Sequence, residues 1–118
     1  MGYLCGRLRS IGFALNGVRI VIASQPNARL HLLATVLVVV AAFLSRVTLS
    51  EWALLVFAIA AVWAAEALNT AIEFAVDLTS PEKHALAERA KDAAAGAVLL
   101  ASVGAVLIGL IVFLPKWL

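Results

Sequence analysis

The segment Glu66 to Asp77, EALNTAIEFAVD, sets three carboxylates and an amide into an otherwise lipid-soluble stretch. At 100° per residue, Glu66, Asn69, Thr70, Glu73 and Asp77 fall within an arc of roughly 100° on one helix face, and the opposite face is apolar. Acidic groups inside or at the edge of a bilayer cost several kcal/mol unless they face protein, water or a cation, so such a stripe marks a functional site. A second charged segment follows. His84, Glu88, Lys91 and Asp92, at spacings of 4, 3 and 1, share one side of a helix, while Arg89 points elsewhere. Together the two segments offer carboxylates for a divalent cation, a lysine for phosphate charge and an amide that can orient a carboxylate. Phosphoryl transfer asks for positioning, charge neutralisation and a base for the attacking hydroxyl. A base at the membrane boundary would meet a lipid alcohol whose tails never leave the bilayer.

Structural readings compete with this one. An isolated acid near a helix end is usually solvated or packed in an oligomer, but co-facial Glu66, Asn69 and Glu73 within a boundary helix favour function. Asp77 and Glu82 read as surface charges. On spacing alone, Lys91 with Asp92 serves equally as an interfacial ion pair or a phosphate site. His31, near a helix start, reads as headgroup-facing rather than as a ligand. No GxxxxGK[ST], GxGxxG or HExxH occurs, so the soluble-kinase, dinucleotide and zinc-protease templates are absent. The lone Cys5 excludes an internal disulfide framework and a cysteine-based metal cluster.

The elements that must position these residues are set by composition. Of 118 residues, 64% are hydrophobic and the mean hydropathy is +1.06, whereas soluble domains run about 45 to 50% apolar. The chain reads as an all-α integral membrane protein of one domain, 1–118. It is too small to bury such a surface in a private core, which argues for a homo-oligomer. Net charge is +2, but the basic residues are scattered without a Lys/Arg block or interleaved aromatics, so no nucleic-acid partner is expected.

Residues 1–24 lack the unbroken apolar run of a signal peptide. Leu4, Leu8, Ile11, Leu15, Val18 and Ile22 recur at spacings of 4, 3, 4, 3 and 4, the pattern of an amphipathic surface helix whose arginines reach lipid phosphates. Pro26 breaks that helix and suits the first turn of the next. The first span is expected over 27–45. Ser45 to Ser50 forms a short polar hairpin, and Glu51 with Trp52 opens a second span, 51–78. Its apolar part, Trp52 to Ala65, gives only about 21 Å of helix, too short for a hydrocarbon core of about 30 Å, so the helix must continue through the acidic stripe. Thr79-Ser80-Pro81-Glu82 ends it and predicts a new helix with Ser80 as N-cap and Pro81 at its first position. A charged turn and a third span fill 81–114, where Gly96, Gly104 and Gly109 predict close helix packing. Seven of the nine Lys/Arg, namely Arg7, Arg9, Arg19, Arg29, Lys83, Arg89 and Lys91, fall on the side of the amino terminus and the second loop. The positive-inside rule makes that side cytoplasmic.

EALNTAIEFAVDL at 66–78 and HALAERAKDAAAGAVLL at 84–100 resemble the two signature segments of the small prokaryotic diacylglycerol kinase family, which includes undecaprenol kinases. GVRIVIASQPNARLH at 17–31 resembles a third. The likeness covers nearly the whole chain. It implies a homotrimer of three-span subunits with an amino-terminal surface helix in the bacterial plasma (inner) membrane. It further implies phosphorylation of a membrane lipid alcohol with MgATP, and active sites shared between neighbouring subunits. By position, Glu66 resembles the general base, with Asn69 as its supporting polar residue, and Glu73 the carboxylate binding the Mg²⁺ that accompanies ATP. Lys91 and Asp92 correspond to the nucleotide-binding pair, and Glu82, Lys83 and His84 to a segment that also touches ATP. Arg19, Asn27, Arg29 and Ala95 are the positions expected to meet the lipid. This chain departs from the family at Gln25, where a second metal-binding glutamate is frequent. Either the Gln25 carbonyl oxygen contributes or another carboxylate compensates. An amino-terminal arginine that reaches phosphate would be Arg7 or Arg9. LNTAIE, the AKDAAAGAVL run and the FLPK tail look closer to the undecaprenol kinase branch, while the family name points to diacylglycerol, so both acceptors stay open. A small oligomeric ion or proton carrier would explain the buried acids but not the Lys91-Asp92 segment. A purely structural membrane partner protein would tolerate neutralisation of the whole stripe.

Overall fold

A computed structural model describes Met1–Leu118 and contains four helices: α1 (Gly2–Ser24), α2 (Pro26–Leu44), α3 (Leu49–Thr79) and α4 (Ala85–Trp117). Helices α2, α3 and α4 are each long and apolar enough to cross a membrane, which matches the three expected spans. Every junction has a local cause. Gln25 is extended (φ −112°, ψ 116°), its N–H closes α1 on the Val21 carbonyl, and Pro26 opens α2 where its missing donor costs nothing. Between α2 and α3, Arg46 takes a left-handed conformation (φ 53°) that turns the chain. A reciprocal capping box then starts α3: the Thr48 hydroxyl accepts from Glu51 N–H at 3.2 Å, and Glu51 Oε1 accepts from Thr48 N–H at 2.8 Å. The helix therefore begins at Leu49, two residues before the expected start.

The junction between α3 and α4 differs from the sequence expectation. Ser80 does not cap α4. Its N–H closes α3 on the Val76 carbonyl, and its hydroxyl donates to the Glu82 carbonyl within the connection. The cap is His84, whose Nδ1 accepts from Leu86 N–H at 3.0 Å, so Glu82 and Lys83 lie in the connection rather than in a first helical turn. The extra length lets the chain reverse and bring α4 back along α3.

Those two helices form the best-packed pair, while α2 lies more loosely beside them. The apolar core sits at the end opposite the acidic stripe, where Ala42, Val47, Leu55, Val112 and Phe113 are buried together. Lys116 pairs with Glu51 at 3.0 Å and Trp117 Nε1 donates to Ser45 Oγ at 2.9 Å, tying the end of α4 to the α2–α3 turn. Pro115 lies inside the last turn, so α4 runs on to Trp117 instead of stopping before it. Only Val21 of α1 is buried, and the Leu4, Leu8, Ile11, Leu15 and Val18 stripe is exposed. No atom lies within 4 Å of a Cβ built on Gly96, Gly104 or Gly109, so the close approach those glycines predict is not made inside one chain.

Candidate active site

Three polar residues of α3 are buried in a segment whose other buried residues are apolar: Glu66 (1% exposed), Asn69 (8%) and Thr70 (2%). The helical register places all three on one face, as the sequence stripe requires, with Glu66 turned to α2. Thr70 satisfies its hydroxyl locally by donating to the Glu66 carbonyl at 2.8 Å. Asn69 Nδ2 reaches one turn along the helix to Glu73 Oε1 at 3.4 Å, the i, i+4 relation of facing side chains. From the α1–α2 corner, Gln25 Nε2 donates to the other oxygen, Glu73 Oε2, at 3.1 Å. Glu73, half-buried, is thus held by an amide on each carboxylate oxygen. This places Gln25 beside the acidic stripe across 48 residues of sequence.

Glu66 sits differently. His31 of α2 brings Nε2 to 3.5 Å from Glu66 Oε2. His31, expected to face headgroups, is instead half-buried against α3. Its backbone carbonyl accepts from Thr35 Oγ1 at 2.7 Å, Thr35 Oγ1 accepts from Trp63 Nε1 at 3.0 Å, and the Trp63 ring meets the imidazole edge-on. One signal in the sequence could have found it. Counted back from the α2–α3 turn at 1.5 Å per residue, His31 and Glu66 reach comparable heights on antiparallel helices.

Lys91 projects from α4 to Asp77 Oδ1 at 2.6 Å, not to its neighbour Asp92, so Asp77, read as a plain surface charge, has a specific cationic partner. Asp92 is exposed. Lys83 lies 3.8 Å from Glu88, and His84, with Val76, Thr79, Ser80, Leu86, Ala87 and Ala90, borders an open recess of about 370 Å³ between the end of α3 and the start of α4. Glu82 is exposed on the same connection. Of the residues expected to meet lipid, Arg19, Asn27 and Ala95 are exposed, and Arg29 donates through Nη2 to the Ala23 carbonyl at 3.2 Å. None of these four hydrogen-bonds with Gln25, Asn69 or Glu73.

A divalent cation can be tested against these donors. No group of three or more Asp, Glu, His or Cys side chains is gathered to cage a metal. Glu73 offers carboxylate oxygens, as a hard cation requires, and Asn69 Oδ1 is buried without a hydrogen-bond partner, while the amides of Gln25 and Asn69 turn their nitrogens to Glu73. One carboxylate with amide oxygens suits Mg²⁺ carried on phosphate, which is commonly held by one or two carboxylates and the phosphates themselves.

A groove of about 260 Å³ leaves this end of the molecule and descends along the spans from His31, past Val38, Leu55, Ala58 and Val62, to Phe113. Its walls are mostly apolar and it begins at His31, the neighbour of Glu66, so a chain of methylene groups could follow it into the hydrocarbon layer.

The model of the prokaryotic diacylglycerol kinase family matches residues 12–113. An undecaprenol kinase of Bacillus subtilis (strain 168) is 42% identical over 93 residues, 79% of this chain and 76% of that one. A diacylglycerol kinase of Synechocystis is 43% identical over 112 residues, 94% of this chain but 64% of the relative, so the chain spans a little under two thirds of that protein's length. A diacylglycerol kinase of Escherichia coli (strain K12) is 34% identical over 100 residues, 85% of this chain and 82% of the relative. With three apolar helices and these matches, this multi-pass membrane protein belongs to the prokaryotic diacylglycerol kinase family and is an ATP-dependent lipid kinase.

Proposed function

We propose that the chain transfers the γ-phosphoryl group of ATP to the primary hydroxyl of diacylglycerol, giving phosphatidic acid, at the cytoplasmic face of the bacterial plasma membrane. The observation that supports this most is the burial of Glu66 on a spanning helix two turns from the amide-held Glu73. Glu66 is the base. As the lipid oxygen bonds to the γ-phosphorus, its O–H bond breaks and the proton passes to the Glu66 carboxylate; the bond from the γ-phosphorus to the bridging oxygen breaks and its electron pair leaves on ADP. Asn69 orients Glu73 and so spaces the two carboxylates along the helix. Glu73, with the carbonyl oxygen of Gln25 once that amide turns its nitrogen away from Glu73, would hold Mg²⁺, which supplies neutralisation of phosphate charge. Lys91 and Asp92, with Glu82, Lys83 and His84, take the nucleotide at the α3–α4 connection. Arg19, Asn27, Arg29 and Ala95 meet the lipid headgroup region.

The working unit in this reading is a homotrimer with sites completed across subunits. The chain is only 20 Å thick in its smallest dimension, about two helix diameters, too thin to surround a triphosphate and a lipid alcohol together.

A second acceptor is favoured by one observation, the 42% identity to the Bacillus undecaprenol kinase. Labelled ATP offered to the purified protein in mixed micelles with diacylglycerol or undecaprenol separates the two. Preferential formation of labelled phosphatidic acid supports the first; labelled undecaprenyl phosphate as the main product replaces it with the second. Failure to label either lipid at any Mg²⁺ concentration overturns both.

A further inference from the structure

A buried carboxylate normally carries several hydrogen bonds, because each unpaired oxygen in an apolar setting costs free energy. Glu66 Oε2 has none, and the one basic nitrogen within ion-pair distance is His31 Nε2 at 3.5 Å. The other cations of the neighbouring elements are occupied or turned away: Arg29 donates to the Ala23 carbonyl, Lys91 pairs with Asp77, and Arg19 is exposed. His31 is braced rather than free. The Trp63 ring meets it edge-on, and the Trp63–Thr35 hydrogen bond joins α3 to α2 one turn from the Glu66–His31 contact. α2 packs loosely against α3, so these two polar rungs hold the helices in register at the depth where the base sits.

We propose that His31 is the positioning residue for Glu66. Its Nε2–H holds Oε2, fixing the carboxylate so that the second oxygen receives the proton of the lipid alcohol. The inference rests on the reading of Glu66 as base. A separation of 3.5 Å is long for a hydrogen bond, and contacts of this kind shorten when substrate closes a site. His31 also borders the apolar groove but lies away from the α3–α4 connection that takes the nucleotide, so its loss should slow turnover without weakening ATP binding.

Steady-state kinetics of H31A, H31Q, H31N, E66Q and the E66Q/H31A double variant, in mixed micelles with MgATP and the lipid alcohol, test this alongside thermal unfolding of each. H31A should lose about 10- to 100-fold in kcat, the scale of a hydrogen bond to a charged group, with KM for ATP unchanged within about twofold. H31Q, whose amide nitrogen lies near the position of Nε2, should recover most of kcat. H31N, whose amide falls short of it, should not. That isosteric pair carries the test even if H31A does not fold. The double variant should be no slower than E66Q alone. An inactive E66Q beside fully active H31A and H31N overturns the positioning role and leaves the base reading standing, as does a lost kcat that H31Q fails to recover. An active E66Q removes the base reading and this inference with it.

Discussion

Glu66 and Glu73 are seven residues apart on one helix, yet their surroundings differ as the two roles proposed for them require. Glu66 is sealed, with an imidazole as its single basic neighbour; Glu73 is half-buried, open to solvent on one side and held by the amides of Gln25 and Asn69. Two like groups in unlike settings are how one site supports both a base and a cation ligand. Glu73→Gln should therefore raise the Mg²⁺ concentration needed for half-maximal turnover several-fold while leaving the fold intact; an unchanged Mg²⁺ titration would remove it from the metal site. Asn69→Ala releases one Glu73 oxygen and should act in the same direction, more weakly, in the same titration. At Lys91 the expectation is different. Its pair with Asp77 is exposed and adds little stability, so Lys91→Ala should leave the melting temperature within a few degrees and raise the KM for ATP by about tenfold or more. Loss of folding with unchanged ATP affinity would make it a structural clamp instead.

At the scale of the helices, the spans were legible in the sequence because hydrophobic length and flanking charge depend only on local composition. The acidic stripe was legible because helical register does too. What escaped depended on partners. His31 and Glu66 meet because α2 and α3 run antiparallel at matched depth, a relation no local pattern contains. Gln25 and Glu73 meet through the α1–α2 corner in the same way. The start of α4 differs from the expectation because Ser80 and His84 both carry side chains able to cap, and the Ser80 hydroxyl is spent on the Glu82 carbonyl within the connection while His84 Nδ1 accepts the Leu86 N–H. A stability prediction belongs to this scale. The Thr48 cap opens the helix that carries the entire stripe, and Thr48→Ala should cost about 1 kcal/mol in reversible unfolding in mixed micelles, with kcat unchanged. A silent substitution would show that packing of α3 on α4 alone sets the start of that helix.

For the molecule as a whole, rigidity and reactivity sit at opposite ends. The buried apolar cluster, the Lys116–Glu51 pair and the Trp117–Ser45 hydrogen bond fasten one end of the bundle, while the orphaned polar atoms of Glu66 and Asn69 and the α3–α4 connection gather at the other. An apolar groove joins the two ends, matching a substrate whose head must be polar and whose tail must stay in lipid. A layer 20 Å thick should associate, and light-scattering mass of the detergent-solubilised protein should give three chains per particle; a monomer with full turnover would contradict shared sites. The central claim, that a carboxylate buried at the membrane boundary takes the proton of a lipid hydroxyl, is met most directly by single-turnover transfer of labelled phosphate from MgATP to lipid by the parent protein and Glu66→Gln. Labelled lipid is expected from the parent and, from the variant, nucleotide binding of ordinary strength with transfer lowered by about a thousandfold or more. Transfer by Glu66→Gln at the parent's rate would contradict it.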